Sequence, residues 1–122
     1  MENSIRIKDG VKFKEINKYC LEFLLALDYC CQRFNRSYVI TSANDGIHSE
    51  NSYHYKNMAW DVRLKDIPKS HWYVLLDSLK AALGKYFDVL IENESDPFKC
   101  HIHAECDLKK LGDWYLEQDH AD

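Results

Sequence analysis

The sequence predicts an α+β fold in which helices pack on a largely antiparallel sheet. Two segments carry apolar residues at helical spacing, and five short segments are rich in β-branched and aromatic residues. They follow a βαβββ-like order with a second helix inserted, which favours helices layered on one sheet. The 122 residues are enough for one core, so we expect a single domain over residues 1–122.

The first half of the chain is predicted to contain a strand, a long helix and a second strand. "SIRIK" (residues 4–8) is a short candidate strand. Residues 13–35 are predicted to form an amphipathic helix, because apolar side chains recur at helical spacing: Phe13, Ile16, Cys20, Phe23, Leu24, Leu27 and Cys31. "SYVITSA" (37–43) is β-branched and predicts a strand ending near Ser42. The polar "NDGIHSENS" (44–52) is expected to be a loop.

The second half is predicted to add three strands and a helix. "MAWDVRL" (58–64), "YFDVLIE" (86–92) and "CHIHAEC" (100–106) have strand character. Pro68 suits the first turn of a helix that ends at Gly84. "NESDPF" (93–98) is expected to be a loop, and residues 107–122 a short helix with a frayed end.

Composition and charge exclude several classes of partner. The chain is 46% hydrophobic and 30% charged with a net charge of −4, an ordinary globular profile. It has no basic stripe for nucleic acid and no apolar run approaching the ~20 residues of a membrane span. No signal peptide is visible at the N-terminus. We therefore expect a cytoplasmic monomer with neither nucleic-acid nor membrane partners.

The cysteines and histidines differ in how they are distributed. The five cysteines, an odd number without a Cys-x-x-Cys pair, are interpreted as reduced and mostly buried thiols. Four of the six histidines fall in two tight clusters: His48 and His54, then His101 and His103. The other two, His71 and His120, are interpreted as surface residues. The clustered histidines are the candidates for a functional site.

Strand geometry groups the polar residues of "CHIHAEC". Because strand side chains alternate between faces, one face is predicted to carry His101, His103 and Glu105. The other face carries Cys100, Ile102, Ala104 and Cys106. The apolar set should face the core and the polar set a cleft or solvent. Alone, a His-x-His segment is more typical of a polar outer face.

Asp61 adds a second observation, because it is a carboxylate inside an apolar strand segment. A charge in such a place needs a partner, which is either a side chain such as Arg63 or a metal ion. His54 precedes Asp61 by seven positions. Two imidazoles and one carboxylate form a ligand set that catalytic zinc uses, with water in the fourth position. His54, Asp61 and His103 would supply that set, and their joint occurrence favours the metal.

Together these motifs resemble a known family. "TSANDGIHSENSYHYKNMAWDVRL" (41–64) followed by "HIHAE" (101–105) resembles the zinc peptidases of the D-alanyl-D-alanine carboxypeptidase type, especially small phage-borne members. It is also similar to the hedgehog signalling domain, which has the same zinc-site fold. The match covers residues 38–106. The resemblance implies that fold, bound Zn²⁺ and peptidoglycan peptides as substrates.

The resemblance also implies a role for each matching residue. His54, Asp61 and His103 would be the zinc ligands. Glu92, at the end of "DVLIE", would be the general base that activates the zinc-bound water. His101 would lie beside the metal and stabilise the tetrahedral intermediate or hold the substrate.

Three further residues are linked to the same site. Eight residues separate Glu92 from the His-x-His segment, so Glu94 or Asp96 is an alternative base. His48 matches a histidine that lines the cleft of hedgehog-like relatives. Glu105 either hydrogen-bonds a ligand histidine or is solvated.

Three functional hypotheses follow. The first is a phage-type zinc metallopeptidase, such as an endolysin, that cleaves an amide bond beside a D-amino acid or within the peptidoglycan stem peptide. The second is a non-catalytic, hedgehog-like zinc-binding or structural module, for example a virion component. The third is a globular domain without a metal. The first hypothesis requires a carboxylate within reach of the zinc-bound water, and the second does not.

Overall fold

Two helices and five strands make up the described part of the chain, residues 3–13, 16–43 and 58–106, in this computed structural model. In chain order they are β1 (Ile5–Ile7), α1 (Lys18–Phe34), β2 (Tyr38–Ser42), β3 (Ala59–Arg63), α2 (Lys69–Leu83), β4 (Phe87–Glu92) and β5 (His101–Cys106). The α+β class is therefore confirmed. The predicted loop with His48, the candidate ligand His54 and the predicted C-terminal helix lie outside the described residues.

All five strands form one sheet in the order β1-β2-β3-β5-β4. Only β1 and β2 pair in parallel; the other three pairs are antiparallel, as predicted for most of the sheet. Between β2 and β3 the register shifts, because Ile40 pairs with Val62 whereas Ser42 pairs with Asp61. The additional residue, Thr41, forms a bulge, a device that redirects neighbouring side chains.

The first helix begins later than the apolar pattern predicts. It starts at Lys18, and Asn17 is its N-cap: the Asn17 side chain accepts the N–H groups of Tyr19 and Cys20 at 3.1 and 3.0 Å. The prediction of a helix from Phe13 was wrong. Apolar spacing continues upstream of the cap, but a capping side chain that satisfies the first free N–H groups ends the helix there.

Both helices cover one face of the sheet, where the core lies. Phe23 of α1 stacks on Trp60 of β3, with ring centroids 4.9 Å apart and planes 9° apart. Val62 and Ile102 of the central strands are fully buried on this face. Within the described ranges, no helix is both long and apolar enough to cross a membrane.

The five cysteines are free and buried, as predicted. Burial is the main cause that raises the pKa of Cys20, Cys30 and Cys31, so these thiols are poor nucleophiles and metal ligands near neutral pH. They contribute to packing.

His71 is half-buried, which differs from the surface position expected for it. Its Nε2 atom lies 2.6 Å from the hydroxyl oxygen of Tyr38, and its ring is nearly perpendicular to that of Phe34, with centroids 4.8 Å apart. The sequence pattern predicted an exposed His71 because it does not show that α2 packs against α1. That packing brings Phe34 of α1 against the His71 ring. Burial lowers the pKa of His71.

Candidate metal centre

The register of the three strands β3, β5 and β4 assembles a polar site on the sheet face opposite the helices. Asp61 pairs directly with His103, and Glu92 pairs directly with His101. The alternation predicted for "CHIHAEC" is confirmed, because the apolar residues of β5 and the cysteine just before it all belong to the core: Cys100, Ile102, Ala104 and Cys106. The histidines therefore project into the polar face beside the two carboxylates.

Four side chains, here called the acid–histidine cluster, offer ligand atoms that all lie within 4.8 Å of one another: Asp61, Glu92, His101 and His103. The shortest contacts are 2.8 Å, from His103 Nδ1 to Asp61 Oδ1 and from His101 Nε2 to Glu92 Oε1. The cross contacts, His101 Nε2 to Asp61 Oδ1 and His103 Nδ1 to Glu92 Oε1, are 3.7 and 3.8 Å. Ligands of tetrahedral zinc lie about 3.3 Å apart, as bonds of about 2.0–2.1 Å require. The cluster could hold a metal ion.

One ring nitrogen of each histidine lies inside the acid–histidine cluster, and the other lies near an oxygen atom outside it. His101 Nδ1 lies 2.8 Å from the carbonyl oxygen of Lys99, which can only accept, so neutral His101 carries its hydrogen on Nδ1. Its Nε2 then directs a lone pair into the cluster. His103 has Nε2 3.6 Å from Glu105 Oε1 and Nδ1 inside the cluster. Oxygen partners of this kind orient metal-binding histidines in proteins.

The charges at the cluster favour a bound cation. The Nε2 lone pair of neutral His101 would face a carboxylate oxygen of Glu92 at 2.8 Å, and two electron-rich atoms need a proton or a metal ion between them. The hydrogen bond to Asp61 is the main cause that raises the pKa of His103, although burial opposes it. A metal ion would take the place of the bound protons.

A cavity of about 340 Å³ opens over the cluster. Besides the four cluster residues it is lined by Ser42, Ala43, Ala59, Trp60, Leu90 and Glu105. Exposure differs strongly within the cluster, since the side chain of His103 is 11% exposed and that of Glu92 43%. The carboxylate of Glu92 is therefore open to solvent, whereas His103 forms the floor of the site.

The two alternative bases, Glu94 and Asp96, contact residues outside the acid–histidine cluster. Glu94 accepts a hydrogen bond from the hydroxyl of Tyr73, and its carboxylate lies 3.8 Å from the ammonium of Lys69. Asp96 accepts two backbone N–H groups of its own loop at 2.9 and 3.1 Å. Of the three carboxylates considered for that role, the structure brings only Glu92 into the cluster.

The structure places some of the expected ligands together and leaves others untested. Asp61 and His103 are in contact, whereas His54 and His48 belong to residues 44–57, outside the described ranges. Asp61 contacts histidines and not Arg63, the salt-bridge alternative. Sequence reasoning did not foresee that Glu92 and His101 would lie at ligand distance themselves. Their direct pairing across β4 and β5 depends on the intervening loop, which the residue pattern does not specify.

Comparison with known proteins adds no relative. No protein-family model matches the chain, and neither curated proteins nor solved structures contain a match. The donor atoms of the cluster are therefore the basis for a functional assignment. Imidazole and carboxylate ligands suit zinc, and they also suit iron and manganese.

Proposed function

We propose that this chain is a zinc-dependent peptidase that hydrolyses amide bonds in peptidoglycan-type peptides, as a D-Ala-D-Ala carboxypeptidase or a stem-peptide endopeptidase. The observation that carries the proposal is the convergence of the acid–histidine cluster at the floor of an open cavity. The motif in residues 41–64, combined with the later His-x-His, supports the peptide substrate and a hedgehog-type zinc-site fold.

In this proposal, Asp61 and His103 hold zinc together with His54. Four positions separate His54 from Met58, at the start of the described chain before β3. A chain of that length spans at most about 14 Å, so the distance along the chain is compatible with a third ligand from this segment. Zinc with three protein ligands supplies an activated water at neutral pH and polarises the scissile carbonyl.

Glu92 is the proposed general base. Its Oε1 atom lies 3.8 Å from His103 Nδ1, so the carboxylate is next to the proposed metal position. Asp61 lies closer to the same nitrogen, at 2.8 Å. The side chain is 43% exposed and reaches the cavity where water and substrate enter. A carboxylate in that position takes a proton from the attacking water and passes it to the leaving amine.

His101 is the proposed stabiliser of negative charge on the substrate. The carbonyl oxygen of Lys99 fixes its ring through Nδ1 at 2.8 Å. In the imidazolium form, Nε2 also carries a hydrogen; Glu92 Oε1 accepts it at 2.8 Å in the free protein, and the substrate oxygen would replace Glu92 as its acceptor. A donor held in place before reaction stabilises a developing oxyanion without reorganisation.

The second candidate is a non-catalytic zinc-binding module, for example a structural component of a virion. The 2.8 Å contact between Glu92 and His101 favours it, because both side chains are close enough to serve as ligands. A metal held by four protein ligands has no open position for water.

A paired substitution separates these functions. Zinc-loaded wild type, Glu92→Gln and Glu94→Gln are incubated with muropeptides, and products and bound zinc are measured. The peptidase proposal predicts cleavage by wild type and by Glu94→Gln, with at least about 100-fold slower cleavage by Glu92→Gln at full zinc content. Zinc binding without cleavage by the wild type, and loss of zinc from Glu92→Gln, would favour the module.

A further inference from the structure

The loop between β4 and β5 connects two members of the acid–histidine cluster, because Glu92 ends β4 and His101 begins β5. It leaves β4 through Asn93, whose φ of 55° lies in the left-handed region that asparagine tolerates better than most residues. The carbonyl oxygen of Asn93 accepts the backbone N–H of Asp96 at 3.0 Å. The chain therefore turns immediately after the proposed general base, and Asp96 closes that turn.

Asp96 holds the second half of the loop through both its side chain and its main chain. Its Oδ1 atom accepts the backbone N–H groups of Phe98 and Lys99 at 2.9 and 3.1 Å. Its carbonyl oxygen accepts the N–H groups of Lys99 and Cys100 at 3.3 and 3.0 Å. Three successive N–H groups thus converge on one aspartate, whose short side chain suits such local contacts with the backbone.

These contacts fix the direction of the Lys99 carbonyl group. The Lys99–Cys100 peptide bond is trans, and in a planar trans unit the C=O and N–H groups point in opposite directions. Because the Cys100 N–H points at Asp96, the Lys99 oxygen points away from it, and His101 Nδ1 lies 2.8 Å from that oxygen. Cys100 is itself anchored, since its side chain is buried and its carbonyl oxygen accepts the N–H of Leu64 at 3.2 Å.

We propose that Asp96 is a positioning residue that orients the His101 ring through the Lys99 carbonyl oxygen. That oxygen can only accept, so the ring keeps a hydrogen on Nδ1 and directs Nε2 towards Glu92 and the proposed metal. Asp96 belongs neither to the lining of the metal-centre cavity nor to the cluster, and it acts only through the loop. The effect on turnover rests on the proposed function, whereas the orientation of the ring does not.

NMR of the full chain with ¹⁵N-labelled histidine measures how fast the His101 Nδ1 proton exchanges with water. In zinc-loaded wild type this proton should be protected by its hydrogen bond. Asp96→Ala should speed its exchange by about 10-fold or more, as loss of one hydrogen bond implies. Asp96→Asn keeps an accepting Oδ1 and should restore the protection. Ser95→Ala changes an exposed residue of the same loop and should behave like wild type.

Turnover provides a second readout. Asp96→Ala should lower kcat for muropeptides by about 10-fold, with KM and zinc content unchanged, and Asp96→Asn should restore it. A wild-type Nδ1 proton that exchanges freely would overturn the positioning role without reference to any variant. Equal protection in Asp96→Ala, an equal loss in Ser95→Ala, or no recovery in Asp96→Asn would also overturn it. The predicted exchange pattern without muropeptide cleavage by the wild type would leave the positioning role standing while the peptidase proposal fails.

Discussion

The Nδ1 atom of His103 lies 2.8 Å from the Oδ1 atom of Asp61, its direct partner across β3 and β5. These residues are 42 positions apart in the chain, and two central strands of the sheet bring them together. Neighbouring strands flank both β3 and β5, so neither side chain depends on a loop for its position. Ligands held on rigid elements are already arranged for a metal.

Replacing Asp61 should abolish tight zinc binding. Asp61→Asn keeps the size of the side chain but removes the charge, so we expect zinc affinity to fall by at least about 100-fold. Competition with a fluorescent zinc chelator measures the change. Asp88→Asn removes the same charge from a β4 residue outside the cluster and should bind zinc like wild type. Equal affinities of all three proteins would contradict the role of Asp61.

Glu105 should act through His103 and not on the metal directly. Its Oε1 atom lies 3.6 Å from His103 Nε2, on the far side of the ring from the cluster. Glu105→Gln should therefore weaken zinc binding by about 10-fold, the lower end of the range for such orienting partners. The same chelator competition checks this, and an affinity unchanged from wild type would show that Glu105 is only solvated.

Without metal, the raised pKa of His103 makes stability depend on pH. The folded-state pKa lies above the ordinary value of 6.5 because of the hydrogen bond to Asp61. The contribution of His103 to the unfolding free energy is fully present below the unfolded-state pKa and is lost as pH rises through the raised folded-state pKa. Urea unfolding in a chelator should thus show a larger difference in unfolding free energy between wild type and His103→Gln at about pH 6 than at about pH 9. A difference that grows with pH would contradict this sign.

His71 should show the opposite dependence and serves as the comparison. Burial lowers its folded-state pKa below 6.5, so the unfolded chain binds more protons in acid. Its contribution is fully present above the unfolded-state pKa and is lost as pH falls through the lowered folded-state pKa. The unfolding free-energy difference between wild type and His71→Gln should therefore shrink from about pH 8 to about pH 5. A constant difference would mean that the folded protein protonates His71 as readily as the unfolded chain.

The N-cap of α1 offers a test of the fold that is separate from the metal. Asn17→Ala leaves the N–H groups of Tyr19 and Cys20 without their side-chain acceptor, and should lower the unfolding free energy by about 1 kcal/mol. Asn17→Ser retains a capping oxygen and should recover most of the loss. Urea unfolding of the metal-free proteins measures both. Equal stability of Asn17→Ala and wild type would place the start of the helix elsewhere.

Side-chain alternation predicted much of the fold, because the strands follow it closely. Alternation along β5 was sufficient to separate His101 and His103 from Ile102 and Ala104, since opposite faces of the sheet meet core and cavity. Apolar spacing was not sufficient to find the start of α1. A single side-chain cap, Asn17, overrode a hydrophobic pattern that continues upstream.

Residue pairing across strands could not be predicted in the same way. The question of whether Glu92, Glu94 or Asp96 joins the histidines depended on the loop between β4 and β5. In the structure, Asp96 binds backbone N–H groups of that loop, and β5 returns with His101 opposite Glu92. The alternation of side chains fixes which face each residue takes, but the geometry of the connecting loop also helps decide which residues pair, and the residue pattern does not give that geometry.

Zinc content combined with X-ray absorption spectroscopy of the zinc-loaded protein tests the metal centre most directly. We expect one zinc per chain, surrounded only by nitrogen and oxygen ligands at about 2.0–2.1 Å. In Asp61→Asn and His103→Gln, that zinc should be lost in the presence of a competing chelator. Absence of zinc after reconstitution, or sulfur ligands at about 2.3 Å from the buried cysteines, would contradict a metal centre built on Asp61 and His103.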